Sequence, residues 1–273
     1  MATSFLEAKR IPGKLVKLKD WLEACPYDGP DEEPQPEALA RLRVGGLFGD
    51  VQASDCEIRN FLSDSGAILI NGCYRLVSAG HLCRFFKMLF ALLTMNDLCS
   101  CSVLEKCTIM TLFASDSEGE EFPPNVVEHL LSVYMDSTSR LDQRRIGRFF
   151  AEELLKARPI WLESEFLSAW RQLLGDLEPS ISYLGDLILK EPVPGMTETR
   201  LAYFPASRLP LEPEARFARL FEVRPRWELT EIEPFVEGAA RALEVELLDL
   251  LVKHARISTT PNGIKIVTAL LSV

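Results

Sequence analysis

The segment Glu244-Val245-Glu246-Leu247-Leu248-Asp249-Leu250-Leu251-Val252-Lys253-His254 continues as Ala255-Arg256-Ile257-Ser258-Thr259-Thr260-Pro261-Asn262-Gly263-Ile264-Lys265-Ile266. A leucine-rich run of helical length passes directly into two short β-prone segments joined by Asn262-Gly263. Asn-Gly between β-branched residues predicts a type I′ hairpin, because that turn needs positive φ at both central positions. Ile264 and Ile266 alternate with Lys265, so one face of the returning strand is apolar and the other wet. A helix closed at once by a small hairpin is how a winged helix ends.

Working outward, the same plan recurs twice. Ser54-Asp55-Cys56-Glu57 has capping-box spacing and opens a helix with Ile58, Phe61 and Leu62 on one face. It leads into Ala67-Ile68-Leu69-Ile70-Asn71-Gly72-Cys73-Tyr74-Arg75, a second Asn-Gly hairpin. Further on, Tyr183 to Lys190 and Arg200 to Phe204, separated by Pro192-Val193-Pro194-Gly195, read as a helix-then-hairpin with a longer wing. Between them lie helices from Pro124 to Tyr134, Leu141 to Arg158 and Glu165 to Leu174. In the last third, Pro213 opens one helix, and Thr230-Glu231-Ile232-Glu233 caps another that Gly238 ends. The expected class is mainly α with small β-hairpins, in three tandem winged-helix domains. A basic helix and Pro-rich linker occupy 1–36, and the domains 37–97, 98–207 and 208–273.

The 273 residues are 47% hydrophobic and 26% charged, ordinary for a soluble globular protein, with room for several small domains. A net charge of −10 argues against a general nucleic-acid coat or a membrane-surface protein, so any nucleic-acid contact must use local basic patches. Seven cysteines, an odd number, do not read as a disulfide framework. The first residues lack the pattern of a signal peptide, and the apolar run from Phe85 to Met95 is too short to span a bilayer. A reducing, aqueous compartment is expected.

Little in the sequence suggests catalysis or a cofactor. Cys99, Cys101 and Cys107, with His81 and Cys83, lack the paired spacing of a zinc site, and the cysteines read as buried or incidental, behaving as small hydrophobes. There is no Gly-x-Ser-x-Gly elbow, and Arg43-Val44-Gly45-Gly46-Leu47-Phe48-Gly49 lacks the Lys-Ser/Thr of a phosphate-binding loop. His129 reads as a satisfied boundary residue. Binding remains. On the helix from 244 to 254, Glu246 and Asp249 share the wet face with Lys253, and two carboxylates there oppose base reading in a groove. After Asp249 the chain has no acidic residue, so Lys253, Arg256 and Lys265 are candidates for backbone-phosphate contact without sequence readout. Arg144, Arg145 and Arg148 form a second candidate cluster, within a basic stretch that also holds Arg140, Lys156 and Arg158. The run Lys9, Arg10, Lys14, Lys17 and Lys19 reads as the solvated face of a short helix.

The run Leu209-Pro210-Leu211-Glu212-Pro213-Glu214-Ala215-Arg216-Phe217-Ala218-Arg219-Leu220-Phe221 resembles the C-terminal end of a known family. So do Arg226-Trp227-Glu228-Leu229-Thr230-Glu231-Ile232-Glu233-Pro234-Phe235, Leu251-Val252-Lys253-His254-Ala255-Arg256 and Pro261-Asn262-Gly263-Ile264-Lys265-Ile266. The family is the sister chromatid cohesion subunit of the alternative replication factor C clamp loader. Leu15-Val16-Lys17-Leu18-Lys19 with Pro26-Tyr27-Asp28-Gly29-Pro30 is similar to its lead into the winged-helix half, while residues 98–180 share mainly the pattern. The resemblance implies a nuclear, non-enzymatic accessory subunit without cofactors. It implies a large chromosome-transmission-fidelity ATPase subunit and a very small accessory subunit as partners, in a loader that places the ring clamp PCNA on primed DNA. DNA polymerase epsilon and primed or double-stranded DNA are the other implied partners, and membranes are not. Family members also carry an N-terminal β-rich module, and this chain is expected to begin near where that module ends.

Overall fold

The structure, a computed structural model, describes residues 15–31, 36–116, 119, 121–195 and 197–270. The chain is mainly helical with small antiparallel sheets and divides into two compact units, Met1–Asp142 and Gln143–Val273. Lys9, Arg10 and Lys14 of the basic run lie outside the described residues.

The first unit opens with helices α1 (Val16–Ala24), α2 (Pro36–Ala40), α3 (Val44–Asp50) and α4 (Asp55–Asp64), then strands β1 (Ile68–Ile70) and β2 (Cys73–Arg75). Ser54 caps α4 reciprocally: its hydroxyl accepts from the Glu57 amide at 3.3 Å, and the Glu57 carboxylate accepts from the Ser54 amide at 2.9 Å. Ile70 pairs with Cys73, leaving Asn71 and Gly72 as a two-residue loop at φ 49° and 78°, the type I′ signature. An antiparallel bridge from Arg43 places Cys73 between two partners. The helix α1 is more than a solvated basic face. Its Leu18 and Leu22 are fully buried against Leu42, Leu47, Ile58 and Leu62, while Lys17 and Lys19 remain exposed. Arg75, itself buried, donates to the carbonyls of Cys25 and Pro26 at 3.3 and 2.6 Å and so ties the end of α1 to the hairpin.

Three further helices complete this unit: α5 (Ala79–Met95), α6 (Lys106–Ser115) and α7 (Pro124–Tyr134). Phe85 of α5 stacks on Phe113 of α6 and meets Phe122 edge-on. The His81 ring lies 5.1 Å from Tyr27 and 4.8 Å from Phe122, and burial, followed by the nearby Arg84 charge, pushes its pKa down. His129 is a boundary residue whose Nε2 lies 3.1 Å from the Gly66 carbonyl oxygen. Cys99, Cys101 and Cys107 are exposed, so of the two expectations, buried or incidental, these three are not buried.

The second unit contains two successive bundles of one topology. The first comprises α8 (Gln143–Ala157), β3 (Ile160–Leu162), α9 (Glu163–Leu173), a 3₁₀ turn at Ile181–Leu184, β4 (Ile188–Pro192) and β5 (Thr199–Tyr203). The second comprises α10 (Pro213–Val223), β6 (Arg226–Glu228), α11 (Leu229–Ala242), α12 (Leu247–His254), β7 (Ala255–Thr259) and β8 (Lys265–Ala269). Their sheets run β3-β5-β4 and β6-β8-β7, so the last strand of each bundle is central. Leu201 pairs with both Trp161 and Lys190, and Val267 with both Trp227 and Ile257. The expected hairpin with a longer wing is thus formed by β4 and β5, and the helical part before it is only a 3₁₀ turn.

Gly147 on α8 has a packing reason: a Cβ there would meet Trp170 at 3.4 Å and Tyr183 at 3.3 Å, and Trp170 donates its indole N–H to the Gly147 carbonyl at 2.9 Å. The two bundles are packed together. Leu189 from β4 is buried in the cluster of Phe217, Leu220, Trp227, Ile232 and Phe235, with Ala202 and Phe204 packed against it. Burying that sheet face removes an apolar surface that a lone bundle would expose to water.

Two local expectations are corrected here. Thr230 does not cap α11: the helix starts directly after β6 with Glu228 at the N-cap position, and it runs through Gly238 to Ala242. The turn at Asn262-Gly263 is also different, because only Gly263 has positive φ, at 79°. Pro261 has its own φ fixed at a negative value by its ring, which suits position two of a type I turn. Thr260 accepts from the Gly263 amide at 2.9 Å and donates its own amide to Ile264 at 2.9 Å, giving a three-residue turn with a glycine bulge.

Because Leu22 is fully buried in the first core, Leu22→Ala is expected to cost about 2–5 kcal/mol in urea unfolding. A value within about 0.5 kcal/mol of zero, the range of surface changes, would show that α1 does not belong to that core.

Candidate nucleic-acid interface

The six candidate cations fall in separate places. Lys253 lies in the last turn of α12 and is exposed; the neighbouring His254 ring stacks on Phe217 at 5.5 Å and turns inward. Arg256 and Lys265 are exposed on β7 and β8 but do not share a face. Side chains alternate along a strand. Lys265 opposes Thr259 and belongs with the face of Ile257 and buried Val267, whereas Arg256 opposes Thr268 on the other face.

The sheet adds a residue that linear reading missed. Thr268 also opposes Arg226 of β6, so Arg226 and Arg256 flank it on one face, about 10 Å apart at two strand spacings. Both arginines are exposed, and among the described residues neither makes an ion pair, nor do Lys253 and Lys265. Glu228 follows on the same face, opposite Ile266, and offsets part of this charge. The signal for Arg226 was the aromatic-flanked triplet Arg226-Trp227-Glu228, too short to score as a strand by periodicity.

The exposed face of α12 carries Leu248 and Val252 as well as Asp249 and Lys253. It offers one cationic donor, one carboxylate and two apolar side chains, a poor match for base edges in a groove.

The cluster on α8 divides. Arg144 and Arg145 are exposed in its first turn. Arg148 is committed to internal structure: its two terminal nitrogens reach the Asp186 carboxylate at 2.5 and 2.7 Å, and one also donates to the Tyr183 carbonyl. The bidentate bond to Asp186 holds its pKa above the usual arginine range. Lys156 pairs with Glu152 and Glu153, and Arg158 pairs with Glu165 while lying over the Trp161 ring. Arg148, Lys156 and Arg158 are thus engaged in ion pairs within the second unit.

Breaking the Arg148–Asp186 pair is expected to be felt in the fold. Arg148→Ala should lower unfolding free energy by about 1–3 kcal/mol, the cost of leaving a half-buried carboxylate without its donor. Arg144→Ala should stay within about 0.5 kcal/mol of the parent. Equal effects in denaturant titrations would contradict this division.

The family model described as sister chromatid cohesion protein Dcc1 matches residues 1–236. The Danio rerio sister chromatid cohesion protein DCC1 is 28% identical over 272 residues, covering 96% of this chain and 67% of that protein. The Homo sapiens protein of the same name is 24% identical over 275 residues, covering 97% and 67%. A probable sister chromatid cohesion protein DCC1 of Dictyostelium discoideum is 22% identical over 296 residues, covering 96% and 75%.

Proposed function

Since the chain belongs to the sister chromatid cohesion protein Dcc1 family, we propose that it serves sister chromatid cohesion as a non-catalytic, nuclear accessory subunit of an alternative clamp loader. In this reading the loader places PCNA on primed DNA. The partners are the large chromosome-transmission-fidelity ATPase subunit, the very small accessory subunit and DNA polymerase epsilon. The helices and hairpins form three winged helices, the first built from α1, α3, α4 and the hairpin β1–β2, the second and third from the two bundles of the second unit.

The observation that carries a DNA role is the set of exposed cations at the last hairpin. Lys253, Arg256 and Lys265, joined by Arg226, are not in ion pairs among the described residues of a chain whose net charge is −10. Among the described residues, twelve ion pairs elsewhere engage ten other lysines and arginines. Cations left open in an acidic protein suit an anionic partner, and their scatter over a helix end, a sheet face and a turn suits phosphates along a backbone more than base edges. The runner-up, a protein-scaffolding role with little DNA contact, draws on exposed Leu248 and Val252 of α12.

Replacing Arg226, Lys253, Arg256 and Lys265 by Gln is expected to weaken binding to a primer–template duplex roughly tenfold or more, equally on unrelated sequences. Binding unchanged in fluorescence anisotropy would remove this hairpin from the DNA reading.

A further inference from the structure

The terminal bundle has a helix that the preceding bundle lacks. Ahead of its hairpin the preceding bundle makes only the 3₁₀ turn Ile181–Leu184, whereas the terminal one makes the eight-residue helix α12. One side of α12 belongs to the core: Leu250 and Leu251 are buried in the cluster of Phe217, Leu220 and Phe235. The other side is not used by the fold. Leu248 and Val252 stand one helical turn apart, 57% and 61% exposed, and Leu243 and Val245 are exposed just before them, where α11 turns into α12. Single exposed apolar residues are normal, but four large ones in so short a segment form a patch.

The charges beside this patch are mostly negative. Glu244, Glu246 and Asp249 interleave with these apolar residues and are exposed, and among the described residues none of the three makes an ion pair. Arg241, in the last turn of α11, is already paired with Glu237 at 2.9 Å. Three carboxylates thus stand with the patch against the single amine of Lys253 on α12. Glu244 occupies a left-handed position, at φ 55°, that glycine fills most readily.

We propose that this patch docks a basic amphipathic helix of a partner protein. Leu248 and Val252, four residues apart, form the kind of row into which the side chains of a second helix interdigitate. The flanking acids decide the charge of that helix. Covering them with a neutral or acidic surface removes water from carboxylates that have no counter-charge, whereas lysines or arginines beside the apolar row compensate them. The same acids oppose two other occupants. A second copy would set identical carboxylates against each other across a two-fold interface, and nucleic acid would bring phosphates to them. The proposal rests on the protein-scaffolding reading, to which it gives a site and a partner chemistry, and not on the DNA contacts of the hairpin.

The test uses the full chain and a fluorescein-labelled leucine–lysine peptide of about 18 residues, long enough to become helical, with its leucines at three- and four-residue spacing. The controls are the same peptide with glutamate for lysine and a scrambled peptide of equal composition. The amphipathic basic peptide should bind at least about tenfold more tightly than either control. Leu248→Ala with Val252→Ala, which keeps helix-forming residues, should weaken it about tenfold or more while primer–template binding stays at the parental value. Glu246→Gln with Asp249→Asn should also weaken it and flatten its salt dependence. Both double variants should melt close to the parent, since all four side chains are exposed and Glu246 makes no capping bond. Equal binding of the three peptides, no binding of any, or affinity unchanged in both double variants would overturn the proposal. So would a dimer of the free chain in sedimentation that the alanine pair dissociates, which would give the patch to a second copy. Size-exclusion assembly with the ATPase and small accessory subunits separates this failure from that of the scaffolding reading. A complex lost in the alanine pair while the peptides bind equally would remove the basic helix and keep the scaffolding role.

Discussion

The last strand of each bundle in the second unit must hydrogen-bond on both sides. One neighbour is its hairpin partner; the other is a short strand directly after the bundle's first helix, Ile160–Leu162 in one bundle and Arg226–Glu228 in the next. That double pairing draws the last strand back across α9 and a 3₁₀ turn in one bundle and across α11 and α12 in the next, and leaves no unsatisfied ladder in the middle of the sheet. It also buries Trp227 of β6. Trp227 is 1% exposed and donates to the Leu220 carbonyl at 3.1 Å because β6 is held against β8. The first unit uses a reduced form, in which a single bridge from Arg43 takes the place of the early strand.

The same constraint decides which residues can act together. Pairing through β8 puts Arg226 beside Arg256, though thirty positions separate them in sequence. It also turns Lys265 to the opposite face from Arg256. In the preceding bundle, β5 presents Ala202, with Phe204 just beyond it, to the terminal core, so the two bundles are packed through a shared apolar cluster. Arg216 belongs to this architecture as well. It is a buried cation pinned by four carbonyls from the connection after β5 and from α11.

Much of the fold was legible in the sequence where a local rule acts alone. The helices at Pro124 and Pro213 begin where proline favours a first turn, the Ser54 box forms as spaced, and the hairpins at 68–75, 188–203 and 255–269 lie where turn residues interrupt β-branched runs. The strands β3 and β6 were not legible. At three residues each they have no period, and their partner lies tens of positions away. The turn at Asn262 shows how one neighbour changes a rule: the same Asn-Gly pair makes a two-residue loop after Ile70 and a bulged turn after Pro261. Of the candidate site, the exposed cations were found and Arg226 was missed. Arg148 was over-read, since its commitment to Asp186 depends on a contact between residues far apart in sequence.

The central functional claim is that the terminal hairpin meets phosphates without reading bases. The most direct measurement is the affinity of the full chain for two unrelated primer–template duplexes across about 50 to 200 mM salt. Three to four phosphate contacts give a slope of log K against log salt near −3, at about −0.9 per contact. The account predicts that slope and the same affinity on both sequences. A flat salt dependence, or a strong preference for one sequence, would contradict it.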